Sequence, residues 1–208
     1  MVDKICSFIV AKMRKKMPEI DDEKAEVITY GIQLIIGEIP KVLLIFVLSI
    51  PLDIWWYTVF AFLTMMPYKG ASGGLHLKTH LGCMIGSCLY YYGNIILSKA
   101  IVLNDITKFI LIFCAFIFGI IMVTLHAPAD TENVPILSKK ERKMKKILSY
   151  IFLTATLVAS IFIKNPILSN ILVFGTILQS IFISRLAYKV TNNKYGFELY
   201  KEQLNTSN

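Results

Sequence analysis

The sequence predicts an all-α, polytopic integral membrane protein of about six transmembrane helices, preceded by an amphipathic interfacial helix. Three observations lead there. The 208 residues are 55% hydrophobic with a mean hydropathy of +0.61, and the apolar residues gather in long runs that a soluble domain does not show. Several of those runs approach the roughly 20 residues that a hydrocarbon core about 30 Å thick demands of a helix. Lysine and arginine, finally, concentrate in alternate connections between the runs, as the positive-inside rule requires of a multi-pass chain.

The elements follow in order. At residues 2–17, Val2, Ile5, Ile9 and Met13 recur at spacings of three and four, and Lys12, Arg14, Lys15 and Lys16 supply cations. This is the pattern of a helix lying in the headgroup region against anionic lipid; the other reading is a solvated cap on the bundle. Asp3 and the absence of a small-residue cleavage site argue against a cleavable leader. Spanning segments are expected at about 27–50, 52–67, 81–98, 106–126, 147–163 and 167–187, the second of them short. Pro51 with Asp53, "PYKGASGG", Asn104 with Asp105, the polar stretch 127–146 and "KNP" at 164–166 mark the breaks. The whole chain, 1–208, reads as a single membrane domain, with the bundle over 27–187 and a tail over 188–208 whose polar stretch 192–208 is expected to fray.

Charge then orients the segments. The N-terminus carries Lys4, Lys12, Arg14, Lys15, Lys16 and Lys24, and the second connection carries Lys69 and Lys78. The fourth carries Lys139, Lys140, Arg142, Lys143, Lys145 and Lys146, and the C-terminus Arg185, Lys189, Lys194 and Lys201. The opposite connections hold Lys99, Lys108 and Lys164. Both termini are therefore expected in the cytoplasm of a multi-pass plasma-membrane protein. The formal charge of +8 is read as this topology signal and not as affinity for nucleic acid. The run "KKERKMKK" at 139–146 is a topology determinant and a contact for anionic lipid. Cys6, Cys83, Cys88 and Cys114 show no framework spacing and no sign of a disulfide.

Two places carry polar groups where apolar ones are expected. Gln33, Glu38 and Lys41 lie inside the first spanning segment, next to Pro40. Ionisable groups at that depth face the bundle interior and pair, so Glu38 and Lys41, three apart, form either a structural ion pair or a wall of a substrate cavity. The second place is "YKGASGGLHLKTHLGCM", residues 68–84, where Gly73 and Gly74 precede His76, His80 and Cys83. On one helix His76, His80 and Cys83 share a face.

That constellation has three readings. As a metal site it gathers poorly: residues seven apart on a helix are separated by about 10 Å, against zinc bonds of about 2.0–2.3 Å, so one ion does not easily take all three. His76 with His80 could form half a site, and a metal-dependent membrane protein is a rival reading; the expectation is no metal and no other cofactor. As plain structure, glycines allow close helix approach and cysteine packs as a small hydrophobe. As chemistry, an imidazole makes thiolate available from a thiol that an apolar setting would leave inert. His76 reaches Cys83 only if the chain bends before the helix begins, which Gly73-Gly74 permits; His80, three residues from Cys83, remains the rival base.

"GGLHLKTHLGC", together with "HAPADTENVPIL" at 126–137 and the basic amphipathic N-terminus, resembles the accessory gene regulator B (AgrB) family of quorum-sensing membrane peptidases over essentially the whole chain. The resemblance implies a cysteine endopeptidase with His76 and Cys83 as its catalytic pair. It would cleave an AgrD-like precursor peptide through a thioester and promote thiolactone or lactone closure. The family motif usually opens with an arginine four residues before the first glycine; Lys69 stands there, keeping the charge without the bidentate fork. Asp130 or Glu132 is a candidate to orient His76, and Asp130 is equally a turn cap. Backbone N–H groups near residues 79–82 are candidate oxyanion donors. The rival from another class is a non-enzymatic peptide transporter or export partner that uses Glu38 and Lys41. A homodimer is compatible with the sequence, which contains no motif that compels one.

Overall fold

The computed structural model describes residues 2–17, 21–75, 77, 79–131, 135–136, 138–198 and 200–201, less the side chains of 2–5, 22–23, 26–27, 30, 33–37 and 80. The described residues are helical, and their only extended pairings are isolated bridges. The helices are α1 (Val2–Lys16), α2 (Asp22–Ser49), α3 (Trp55–Ser72), α4 (His80–Ala100), α5 (Asp105–His126), α6 (Lys139–Phe162), α7 (Pro166–Phe182) and α8 (Arg185–Val190). They fall into two compact units, residues 1–51 and 52–208.

In the first unit α1 packs on α2. Val10 of α1 and Ala25 of α2 are buried together, with Met13, Ile28 and Ile32 around them, so part of the apolar face of α1 is covered by its own chain. Lys12, Arg14, Lys15 and Lys16 stay exposed. α2 starts at Asp21, whose carboxylate accepts from the Lys24 N–H, and it runs through Pro40 without ending. Lys41 is buried, with its ammonium 2.5 Å from a half-exposed Glu38 carboxylate. The two therefore pair as their spacing predicts. The side chain of Gln33 lies outside the described residues.

The second unit is a bundle built around α7, which packs against α3, α4, α5 and α6 and buries ten of its 17 residues. Its polar side chains are spent between helices. Asn170 Nδ2 donates to the carbonyls of Ser98 and Ile101, and Asn94 Nδ2 donates to that of Ile171. Tyr90 OH donates to the Gly175 carbonyl, and Tyr68 OH pairs with Ser180 Oγ at 3.1 Å. Lipid supplies no hydrophobic drive between helices, so packing and such bonds, each worth about 0.6 kcal/mol, hold a bundle of this kind. Gly175 lets α7 approach closely, since a Cβ there would stand 2.5 Å from Met65 Sδ and 2.9 Å from Asn94 Nδ2.

Large apolar side chains face outward, among them Phe109, Phe113, Ile117, Ile121 and Leu125 along α5. Among the described residues three helices, Leu81–Ala100, Asp105–His126 and Lys139–Phe162, are long and apolar enough to cross a membrane, and α7 is a shorter apolar helix. The molecule is a helical membrane protein.

Several boundaries differ from the sequence expectation. α3 does not stop at 67 but continues through Pro67, Tyr68, Lys69 and Gly70 to Ser72; a proline in a helix removes a single N–H, which neighbouring groups in a bundle compensate. α6 starts at residue 139 rather than 147, because Ser138 caps the Glu141 N–H and lysine and arginine are good helix formers. The last segment breaks at Ile183 and Ser184, where Ser184 caps α8. The tail expected to fray is also partly ordered: Tyr195 bridges Thr131, and the Gly196 N–H donates to the Asp130 carbonyl.

Candidate functional site

α3 ends where Gly73 turns the chain. Its N–H still donates to the Lys69 carbonyl, but its φ of 75° is left-handed, a region that glycine enters without a steric penalty. Gly73 also lies against residues 127–131. The Ala129 N–H donates to the Ser72 carbonyl and the Gly74 N–H to the Ala129 carbonyl, both at 2.8 Å. A Cβ on Gly73 would stand 2.3 Å from the Ala129 oxygen, so both the backbone angle and the contact exclude a side chain there.

From Gly74 the chain returns over the start of α4. Leu75 packs into the core formed by Tyr68, Val123, Ala129, Leu153 and Tyr188. Leu77 lies over the first two turns of α4, where a Cβ on Gly82 would be 3.5 Å from its Cβ and one on Gly86 would be 3.3 Å from its Cδ1. Thr79 caps the helix: its Oγ1 accepts from the Gly82 N–H at 3.0 Å and its carbonyl accepts from the Cys83 N–H at 2.9 Å. The cap leaves the N–H groups of His80 and Leu81 as the remaining donors of that turn. Cys83 is half-buried one turn into α4 and in no disulfide, close to the positive end of the helix dipole. His76 lies outside the described residues, as does the side chain of His80, the first residue of α4.

The supporting candidates separate. Lys69, in the last turn of α3, holds its ammonium 5.2 Å from the Tyr90 ring centre and 5.8 Å from that of Tyr91, a cation–π setting. Asp130 is buried. Its Oδ2 accepts from the Ile136 N–H at 2.7 Å and from the Arg142 guanidinium, while its Oδ1 has no hydrogen-bond partner among the described residues. Glu132 lies outside the described residues. Among the described residues no three His, Cys, Asp or Glu side chains gather as a metal site would need.

Sequence reasoning missed the partners that fix this end of the bundle. Gln179 of α7 donates through Nε2 to Ser72 Oγ at 2.9 Å and to the Gly73 carbonyl at 2.6 Å. Tyr188 OH donates to the Ala129 carbonyl at 2.9 Å, and its ring stacks on Tyr195 at 3.9 Å. Burial pushes both tyrosine hydroxyls well above their ordinary range, so each stays a neutral donor. Arg142 Nε donates to the Ile136 carbonyl, and the guanidinium lies 5.0 Å from the Phe197 ring and 4.9 Å from that of Tyr200. A glutamine inside the apolar run "GTILQSIF" was the one available signal.

The comparison with known proteins decides the family. The model of accessory gene regulator B matches residues 6–183. The chain belongs to the AgrB family. Among similar proteins, the accessory gene regulator protein B of Staphylococcus epidermidis is 28% identical over 169 residues, covering 81% of this chain and 84% of its own length. A putative AgrB-like protein of Listeria welshimeri is 24% identical over 201 residues, covering 96% and 95%. The accessory gene regulator protein B of Staphylococcus aureus is 28% identical over 151 residues, covering 73% and 78%. No solved structure matches the chain. The AgrB model takes in the Gly-Gly turn, Cys83 and the 127–136 loop.

Proposed function

We propose that this AgrB-family chain is a membrane cysteine endopeptidase of the accessory gene regulator quorum-sensing system. In this reading it cleaves a pheromone precursor on the C-terminal side of the pheromone segment and promotes its cyclisation. The observation that carries the reading is the turn at Gly73–Gly74, held by the 127–131 loop and followed by a connection that folds back over the α4 turn bearing Cys83. That bend is what a histidine seven residues before a helical cysteine needs in order to reach it.

The chemistry then runs in two steps. Cys83 thiolate, formed with His76 as base, attacks the scissile carbonyl carbon. The C–N bond breaks, His76 returns the proton to the leaving amine, and a thioester to Cys83 remains. A cysteine or serine inside the bound peptide then gives its proton to His76 and attacks the thioester carbon; the C–S bond to Cys83 breaks, Cys83 leaves as thiolate and the thiolactone or lactone closes. The remaining N–H donors of the α4 first turn suit the oxyanion of both steps. Closure must outrun hydrolysis, which close positioning of the peptide nucleophile favours, since effective molarities of about 10⁵ M are attainable. The basic alternate connections support a multi-pass arrangement with both termini in the cytoplasm and the site at the inner face of a bacterial plasma membrane.

The test uses the full chain in vesicles with a synthetic AgrD-like precursor. The expected result is a cyclic product and a released C-terminal fragment, a hydroxylamine-sensitive acyl-enzyme mass, and loss of all three in Cys83→Ala. A Cys83→Ala protein that still moves intact peptide across the membrane, with no cleavage by the unsubstituted chain, overturns the reading in favour of peptide transport.

A further inference from the structure

The segment that follows α8 is aimed back at residues 129–131 by a built turn. Thr191 closes α8, and Asn192 reverses the chain at a φ of 52°, a left-handed angle that asparagine tolerates better than most residues. The Asn193 N–H donates to the Tyr188 carbonyl and its Nδ2 to Thr191 Oγ1, both at 2.9 Å. The Tyr195 ring then stacks on Tyr188, and its hydroxyl donates to the Ile183 carbonyl at 2.9 Å. The AgrB match ends at residue 183, so family membership does not account for this segment.

Where the segment lands, it covers a buried charge. Arg142 has its Nε on the Ile136 carbonyl and its guanidinium on Asp130, and Phe197 and Tyr200 bring their rings to 5.0 and 4.9 Å from it. A guanidinium is weakly hydrated and stacks readily on rings, and keeping water away strengthens its attraction to the carboxylate. Gly196 makes the approach possible. Its N–H donates to the Asp130 carbonyl, and a Cβ on it would stand 2.5 Å from Asp130 Oδ2 and 2.8 Å from the Thr131 carbonyl oxygen. Neither atom yields easily, since the carboxylate is held by Arg142 and the Ile136 N–H and the other is backbone.

Residues 129–131 face the candidate site on their other edge. The Ala129 N–H donates to the Ser72 carbonyl, and the Ala129 carbonyl accepts from the Gly74 N–H and from Tyr188 OH. They form the middle of three short extended pieces, with Gly73 bridged to Ala129 on one side and Tyr195 bridged to Thr131 on the other. Leu75 packs in the core with Tyr188, and Leu77 lies over the first turns of the helix that carries Cys83.

We propose that residues 192–201 are a clasp for the candidate site: by closing over the Asp130–Arg142 pair and pairing with residues 130 and 131, they hold the piece that holds the Gly73–Gly74 turn. Gly196, Phe197 and Tyr200 are its positioning residues, and they act through the turn. The effect on catalysis rests on the peptidase reading; the effect on the turn does not, and the test reads the two separately.

Hydrogen exchange at the Gly74 and Ala129 amides is followed by mass spectrometry on overlapping peptides of the full-length protein in detergent, with precursor cleavage followed alongside. Gly196→Val drives a side chain onto the Asp130 carboxylate and the Thr131 carbonyl. It is expected to speed exchange at Gly74 and Ala129 about tenfold, while amides 90–95 in the middle of α4 keep their rates. The kcat for cleavage is expected to fall about 100-fold with KM within about twofold. Tyr200→Ala removes one ring from Arg142 and is expected to move both readouts the same way; it serves where the Gly196→Val protein does not fold. Lys194→Ala, exposed in the same segment, is expected to change neither.

Unmoved exchange at Gly74 and Ala129 in a folded variant overturns the proposal and leaves the peptidase reading standing. Equal acceleration at residues 90–95 assigns the segment a general stabilising role and overturns it too. Faster exchange at the turn with an unchanged kcat shows that the segment secures the loop without setting the site, and a raised kcat makes it an autoinhibitory cover; both contradict the clasp. Absence of cleavage by the unsubstituted chain removes the peptidase reading, and the exchange rates alone then decide whether the clasp exists.

Discussion

The two ends of the α3–α8 bundle are built to different standards. At one end the connections are short and their caps are local: Asn104 caps α5 through the Thr107 N–H, and Asn165 caps α7 through the N–H groups of Ile167 and Leu168. Asn170 reaches across that end to the Ser98 and Ile101 carbonyls. At the other end the Gly73–Gly74 turn, residues 127–131 and 135–136, and residues 195–198 with Tyr200 lock together across more than a hundred residues of sequence. They do so with a left-handed glycine, Gln179, two stacked tyrosines and the buried Asp130–Arg142 pair. Helix ends need only caps to be stable. The investment at the second end exceeds what folding asks of a connection, and Cys83 sits beside it.

The largest effects should come from that end. Asp130→Ala leaves Arg142 buried between Phe197 and Tyr200 without its carboxylate, and the expected loss is about 3–5 kcal/mol of stability, read as a lowered denaturation midpoint in detergent. Gly73→Val forces a β-branched residue into a left-handed angle and onto the Ala129 carbonyl. A cost of about 3 kcal/mol follows, with Cys83 losing its neutral-pH reactivity even where the bundle survives. Tyr188→Phe removes one donor from the Ala129 carbonyl, which retains the Gly74 N–H, so the loss is about 1 kcal/mol. Because burial raises the Tyr188 hydroxyl, that contribution is present below the ordinary tyrosine pKa of about 10 and is lost as pH climbs towards the raised value. Unfolding of the unsubstituted protein should therefore turn pH-dependent only in the alkaline range, and less so in Tyr188→Phe. Asn165→Ala, at the plain end, should cost about 1 kcal/mol and leave alkylation of Cys83 untouched. An Asn165→Ala protein whose Cys83 loses reactivity would erase the distinction between the ends.

Much of the helical order was legible because the apolar runs are long. Membrane length and residue spacing set α4 and α5 to within a residue or two. Proline and glycine misled at α3, where "PYKG" reads as a break in isolation but is carried by packing against α7. Charge misled at α6, where a basic run taken for a loop is the capped beginning of a helix. At the site, Gly73 and Gly74 announced a bend, since few other residues could serve there. The bend's partners did not announce themselves: Ala129, Gln179 and Tyr188 lie between about 50 and 120 residues away, and no local pattern encodes which carbonyl a distant side chain will meet. The ordered tail was missed for the same reason, because polar composition says nothing about Tyr195 finding Tyr188.

The account stands or falls on whether Cys83 is an activated thiol. The most direct measurement is the alkylation rate of each cysteine against pH in the purified protein, repeated with His76→Ala and with His80→Ala. The account predicts that Cys83 alone reacts well below pH 8 and that His76→Ala, but not His80→Ala, abolishes this. A Cys83 that titrates like Cys6, or one silenced only by His80→Ala, would contradict it.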